Sequence, residues 1–444
     1  MKKYVFIIML LCFCIIWAND QVTIYNDNFA LVRSNLDLNL RRGLQDYYLD
    51  DIPSSIEANS IIIKAEDNDF EIFSQNYEYD LANTNKILNK YLNKEISIST
   101  ENDNNFIGKL QFNDSQYIGI LANTTQELQL INKEEIRNIN LTKLPDNFFL
   151  KPTLHWKIIT DKKDTYPVSY SYICSNMKWN TTYNAVWNEE KKILDMNSWV
   201  TIDNTSGKAY EDVKLKLVAG EVKKITQMRD QRVELKYAKR MATAAKPEFE
   251  EKAFHDFHLY TLSEKVTINN NQTKQITLFQ PKNIKAKPIY EYRTGTDKVK
   301  SIIQFMNSKN AGLGIPLPKG IVKVYKRDTD DNLEFIGEDN LEHTPIEEEV
   351  KITTGSSFDV IPETVTLDKR KISRQKWEKK MKVSINNHSK KDKEVTVSHN
   401  LSGDWKIYNE NFDYKKKSAY EIEFTKLIPA GKEIEFTWTE ISAY

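Results

Sequence analysis

Trp199-Val-Thr-Ile-Asp-Asn-Thr-Ser-Gly207, followed by Val213-Lys-Leu-Lys-Leu217, decides the fold class. Apolar residues in the second stretch face one way, and Lys214 and Lys216 face the other, which is the alternation of a half-buried antiparallel strand. With the Asn/Ser turn between them, the two stretches read as a hairpin. The same order of strand, Asn/Ser corner and returning strand occurs twice more. Ile302-Ile-Gln-Phe-Met306 leads into Asn307-Ser-Lys309 and back at Ile321-Val-Lys-Val324. Val383-Ser-Ile385 leads into Asn386-Asn-His-Ser389 and back at Val395-Thr-Val397. The repetition predicts immunoglobulin-like sandwiches, without the Cys…Trp…Cys signature of true members. Asn and Ser also suit turns on their own, so the recurrence leaves a plain-turn reading open.

Working towards the N-terminus, the pattern stays β. Val22-Thr-Ile24, Ala30-Leu-Val32, Leu36-Asp-Leu-Asn-Leu40, Ser60-Ile-Ile-Ile-Lys64 and Phe70-Glu-Ile72 alternate with period two. One short helix interrupts them, capped by Asn83 or Thr84, with Ile87, Leu88, Tyr91 and Leu92 on one face. Between Lys94 and Leu141, short strands separated by polar turns suggest a small β-barrel. Residues 223–251 are highly charged and read as an exposed helix or a flexible linker. The organisation expected is a signal peptide at 1–18, a β-rich region at 19–148, a β-sandwich at 149–295 carrying the 223–251 insert, and an immunoglobulin-like sandwich at 296–444. The fold class expected is mainly β: antiparallel sandwiches in several domains, with few short helices.

The chain has 444 residues, 40 % of them hydrophobic and 28 % charged, enough apolar material for real cores. Basic and acidic side chains balance at 63 each, which argues against a protein built to neutralise nucleic-acid phosphates. At the N-terminus, Lys2 and Lys3 precede an uncharged apolar run from Tyr4 to Trp17, with Ala18 ahead of Asn19-Asp20. That is the layout of a secretory signal peptide, too short for a comfortable transmembrane span. Cys12 and Cys14 lack the small preceding residue that lipidation would want. Cleavage leaves Cys174 alone, hence no intrachain disulfide, and 61 basic against 63 acidic side chains. The expected location is extracytoplasmic, periplasmic or secreted.

No constellation in the sequence carries a catalytic motif. Asp328-Thr-Asp330-Asp-Asn332 alternates oxygen ligands, yet Leu333 and Asp339 stand where a calcium loop needs Gly and Glu, so it reads as a polar hairpin tip. His255 and His258, with Glu250 and Glu251 nearby, would point to opposite faces of a strand. His343 lies in a loop beside Thr344-Pro345; His155, His388 and His399 have no partner identifiable from sequence. Cys174 has no nucleophile signature, and Ser206-Gly-Lys208 lacks the upstream glycine of a phosphate loop. Asn123 and Asn180 begin glycosylation sequons that chance would supply. The chain ends on Tyr444 as outer-membrane barrels often do, but Glu440 and Ser442 share its row with Trp438 and Phe436, and a charge there argues for a soluble strand. No cofactor and no metal are expected.

Several of these stretches together resemble the domain-of-unknown-function family DUF4139, which includes the mucoidy-inhibitor-A-like proteins. They are Trp179-Asn-Thr-Thr-Tyr183, Trp199 to Gly207, Leu215-Lys-Leu-Val-Ala-Gly220, His258-Leu-Tyr260 and Leu313-Gly-Ile-Pro-Leu-Pro318, then Phe335-Ile-Gly-Glu-Asp339, His343-Thr-Pro345 and Phe358-Asp-Val360. The resemblance runs from about Leu150 to the end and, more weakly, through the region before it. It implies an exported or envelope-associated β-sandwich protein and offers no catalytic residues. The long N-terminal coiled coil of the mucoidy-inhibitor-like members has no counterpart here. The expected function is a non-catalytic envelope or secreted protein that binds a protein or glycan. The alternatives are a hydrolase of polysaccharide or cell wall, with Glu338 and Asp339 in a cleft, and a structural subunit of a surface assembly.

Overall fold

The computed structural model describes residues 20–65, 69–79, 84–142, 148–220, 222–224, 249–255 and 257–443. The expected signal peptide, Cys12, Cys14, Tyr444 and most of the charged insert (225–248) lie outside the described residues. The protein is mainly β and is built from several sheets.

Strict alternation makes the long strands. Burial alternates at every residue along Ile193–Asn204 and along most of Met177–Asn188. Each strand therefore offers one face to a core and one to its surroundings.

Five strands form a unit that is used three times. The first unit is Met177–Asn188, Ile193–Asn204, Tyr210–Ala219, Val266–Ile268 and Gln272–Phe279. The second is Ile284–Arg293, Val299–Met306, Gly320–Arg327, Leu333–Leu341 and Glu349–Ser356. The third is Val360–Ser373, Lys376–Asn387, Lys393–Asn400, Glu421–Ile428 and Lys432–Ala443. In every unit the second strand pairs antiparallel with both the first and the fifth. The third pairs antiparallel with the fourth. The third strand also runs parallel beside an earlier strand: Gln21–Tyr25 for unit one, the first strand of unit one for unit two, and the first strand of unit two for unit three. Sheets thus continue from one sandwich into the next.

The stretches that read as hairpins are corners instead. Ile193–Asn204 and Tyr210–Ala219 are in different sheets, as are Lys376–Asn387 and Lys393–Asn400; Val299–Met306 and Gly320–Arg327 belong to one eleven-stranded sheet but are not neighbours in it. A buried asparagine turns the chain between the second and third strands each time. Asn204 Nδ2 donates to the carbonyls of Lys208, Ile268 and Asn269, and its Oδ1 accepts from the N–H and hydroxyl of Ser206. Asn387 makes the same set with Lys391, Ile428, Pro429 and Ser389. Asn307 holds the carbonyls of Ile315, Thr344 and Pro345 and accepts from Gly314 N–H. All three have no exposed surface. Buried backbone groups need partners, and an amide supplies donors and acceptor at one point.

Three successive cores follow. Trp179, Val200 and Ile202 enter the first, while Tyr183, Trp187, Leu194 and Met196 of the same two strands enter the second. Ile284 and Phe305 lie in the second, and Tyr292 and Val299 of those strands lie in the third. Long strands therefore act as shared beams between sandwiches.

The N-terminal strands belong to the first core. Phe29–Leu40 pairs along its whole length with Asp164–Ser175. Thr153–Thr160 sits between Gly43–Leu49 and Phe70–Glu78. The expected boundary at 148 falls inside this shared core, because strands distant in sequence pair across it.

The expected small barrel is an open five-stranded sheet inserted between Phe70–Glu78 and Thr153–Thr160. Ile136–Leu141 returns to pair with Glu95–Thr100, but among the described residues Leu128–Asn132 pairs only with Tyr117–Ala122. The 3-10 turn Lys133–Glu135 separates the two end strands, and no ladder closes between them. The sheet folds around one core, in which Leu88 and Tyr91 from the helical segment meet Ile96, Leu110, Ile120 and Ile131. The helix is Thr84–Asn89; Leu92 is exposed.

Candidate functional site

The residues singled out from sequence are placed in several structural settings. Asp328 to Asn332 is a hairpin tip satisfied by its own groups. Asp328 N–H donates to Asn332 O, Arg327 Nη1 to Asp331, and Asn332 Nδ2 to Asp330 Oδ2. His255 occupies the turn between Phe249–Phe254 and Phe257–Leu262 with a φ of +55°. His258 Nδ1 lies 2.8 Å from Glu251 Oε1. Among the described residues no three His, Cys, Asp or Glu side chains converge to hold a metal.

Glu338 is exposed, whereas both oxygens of Asp339 accept backbone N–H groups, from Asn340 and from Thr353 on the neighbouring strand. Adjacent residues on a strand face opposite ways, so the two carboxylates do not share a cleft. His343 Nδ1 accepts from Lys319 N–H at 3.2 Å. It belongs to a joint around 313–318, where the hydroxyls of Tyr260 and Tyr183 donate to the carbonyls of Pro316 and Pro318. Burial raises the pKa of both phenols. The Leu313–Pro318 stretch is thus a clamp between units one and two.

Cys174 is fully buried, 3.7 Å from the Tyr210 hydroxyl and 3.9 Å from Met177 Sδ. Burial pushes its thiol up to about 11, far from a nucleophile's range. The Ser206 hydroxyl accepts from Lys208 N–H and takes part in the first corner. Asn123 donates to Glu95, His155 Nε2 lies 2.7 Å from Asp46 Oδ1, and His388 is exposed at the third corner.

The row that holds Glu440 faces inward. Phe436 and Trp438 are fully buried and Glu440 is 3 % exposed. Glu440 pairs with His399 Nε2 at 2.7 Å and Lys379 Nζ at 3.0 Å, and His399 Nδ1 meets Thr294 Oγ1 at 2.7 Å. Burial alone would raise the Glu440 carboxyl; His399 and Lys379 outweigh it and hold the pKa below the ordinary value. The charge is compensated inside the sandwich, so it bears on the third core and not on an outer surface.

The same row continues to the end of the third sandwich, where Ser442 is buried and Trp405 packs against the third core. Lys371, Trp377, Ser442 and Trp405 stand abreast on four neighbouring strands. Lys369 Nζ and Lys371 Nζ lie 5.0 and 5.4 Å from the Trp377 ring centre, and Lys416 Nζ lies 4.8 Å from that of Trp405. Two strand spacings place the backbone positions of the two tryptophans about 10 Å apart across the sheet. The sequence signal is the density of Lys and Arg at 369–380, which motif spacing does not detect.

These sandwiches, with amides at their buried corners and aromatic–lysine pairs at one end, define a class of fused β-sandwich proteins. The model of the family described as domain of unknown function DUF4139 matches residues 168–407, which is 240 of the 444 residues, and the chain belongs to that family. No curated protein matches the chain.

Proposed function

We propose that the protein is an exported, non-catalytic envelope or secreted protein that binds a protein or glycan through the outer faces of its sandwiches. Kinship with mucoidy-inhibitor-A-like proteins and export by the 1–18 signal sequence are part of this reading. The observation that carries it is the continuous row of sandwiches tied by parallel ladders. Such a row presents extended surfaces in fixed relation. The side chains best suited to chemistry support it too, since Cys174, Asp339 and Glu440 are each engaged in holding the fold.

A pull-down with the mature protein from envelope extract, run beside a glycan array, tests the binding. A saturable partner on either is expected. Silence on both, with turnover of a polysaccharide or cell-wall substrate, would replace this reading with the hydrolase. N-terminal sequencing of the exported protein tests the leader; a mature chain starting near Asn19 is expected, and retention in the cytoplasm would sink the export.

A further inference from the structure

The far end of the third sandwich collects positive charge that the chain as a whole lacks. Residues 367–380 hold seven Lys and Arg against Asp368 and Glu378, a net charge of +5 in a chain whose formal charge is zero. They form the outer half of the hairpin between Val360–Ser373 and Lys376–Asn387. Its register skips twice, at Leu367 and at Ile372. Bulges re-aim side chains, and these two aliphatic groups are 48 % and 46 % exposed. Arg370 is held by Glu378 and Lys379 by Glu440, while Arg374, Lys376 and Lys380 are exposed.

Lysines and bulges commonly guard an edge strand against pairing with another sheet. That accounts for Lys369, Arg370 and Lys371 on the edge. It does not account for Lys376 and Lys380, whose strand is paired on both sides, or for aliphatic groups turned out to water.

We propose that this hairpin end docks on the surface of an anionic lipid bilayer. Arg374, Lys376 and Lys380 meet the lipid phosphates, and Leu367 and Ile372 enter the boundary between headgroups and acyl chains. A bilayer fits better than a soluble acidic polymer for two reasons. The lysine ammoniums over Trp377 and Trp405 occupy ring surface that stacking on a sugar or base would use. Apolar depth, which Leu367 and Ile372 would exploit, exists in a bilayer and not along a solvated polyanion.

Co-sedimentation of the full chain with phosphatidylcholine vesicles, with and without phosphatidylglycerol, tests this at low and high salt. Dextran sulfate serves as the soluble polyanion. Binding to phosphatidylglycerol vesicles alone, weakened by salt, is expected. The triple variant Arg374→Glu, Lys376→Glu, Lys380→Glu is expected to bind about a hundredfold more weakly. The double variant Leu367→Ser, Ile372→Ser is expected to bind vesicles about tenfold more weakly and dextran sulfate unchanged. All five positions are exposed, so unchanged melting curves serve as the folding control. Failure to sediment with phosphatidylglycerol vesicles overturns the proposal. So does sedimentation that either variant leaves unaltered, which would point to another surface or to charge alone. The readout is lipid only, so it stands or falls separately from the envelope partner.

Discussion

The corners at Asn204 and Asn387 use the same hydrogen bonds under different cover. At the first, residues 51–55 lie across the turn: Ser55 N–H donates to Ser206 O, and Lys208 Nζ reaches Asp51 Oδ2 at 2.6 Å. Gly207 has a φ of +96°, and a Cβ there would stand 2.1 Å from Ser54 Oγ. At the third corner the corresponding residue is Lys390, which is exposed. The asparagine sets the turn in both. The residue three positions later reflects what covers the turn.

The largest expected effect comes from removing the amide. Asn204→Leu and Asn387→Leu each strand buried carbonyls that the side chain satisfied, at a cost of about 3 kcal/mol or more. Urea denaturation should show both, with Asn204→Leu the more damaging because loop 51–55 hangs on the same turn. Near-wild-type midpoints for both would break the equivalence.

The glycine contrast is next. Gly207→Ala should cost about 1–3 kcal/mol from its left-handed backbone and the contact with Ser54. Lys390→Ala should stay within about 0.5 kcal/mol. Equal melting shifts would mean that cover does not distinguish the corners.

A pH series sharpens the account of the third unit. The Glu440 carboxyl titrates below its ordinary 4.5 in the folded protein. Its contribution is therefore full above about that pH and is lost as pH falls through the lower, folded value. Glu440→Gln should flatten the acid limb of the stability curve, and an unchanged limb would remove the pair from the account.

The smallest effect concerns a clasp across units. Glu189, at the tip between the first two strands of unit one, faces Lys326 of unit two at 2.7 Å and Lys391 of unit three at 3.5 Å. Burial raises its pKa, but the lysines outweigh that and lower it. Glu189→Gln should cost less than about 1 kcal/mol, since the lysines are partly solvated. A double-mutant cycle with Lys326→Met would measure the coupling; none at all would show that the ladders alone hold the units together.

Much of this was legible in the sequence where the signal is local. Period-two alternation gave the strands, and the three Asn-bearing corners were visible as a recurrence. Pairing across distance was not: a corner and a hairpin look alike until it is known which strands lie beside each. The stretch that forms the open sheet at 95–141 suggests a barrel, because short strands in sequence do not state whether the first and last meet. Among the candidate groups, the Asp328 hairpin tip was readable from its neighbours. The inward-facing, paired state of Glu440 was not, since His399 and Lys379 are far from it along the chain.

The sequence by itself therefore determined that the chain is β, where it turns, and that it belongs among DUF4139 sandwiches, because side-chain period and turn chemistry act over a few residues. Only the tertiary structure decided that the N-terminal strands share the first core and that parallel ladders join the units. Those outcomes depend on contacts between residues tens to hundreds of positions apart, whose pairing no local pattern encodes.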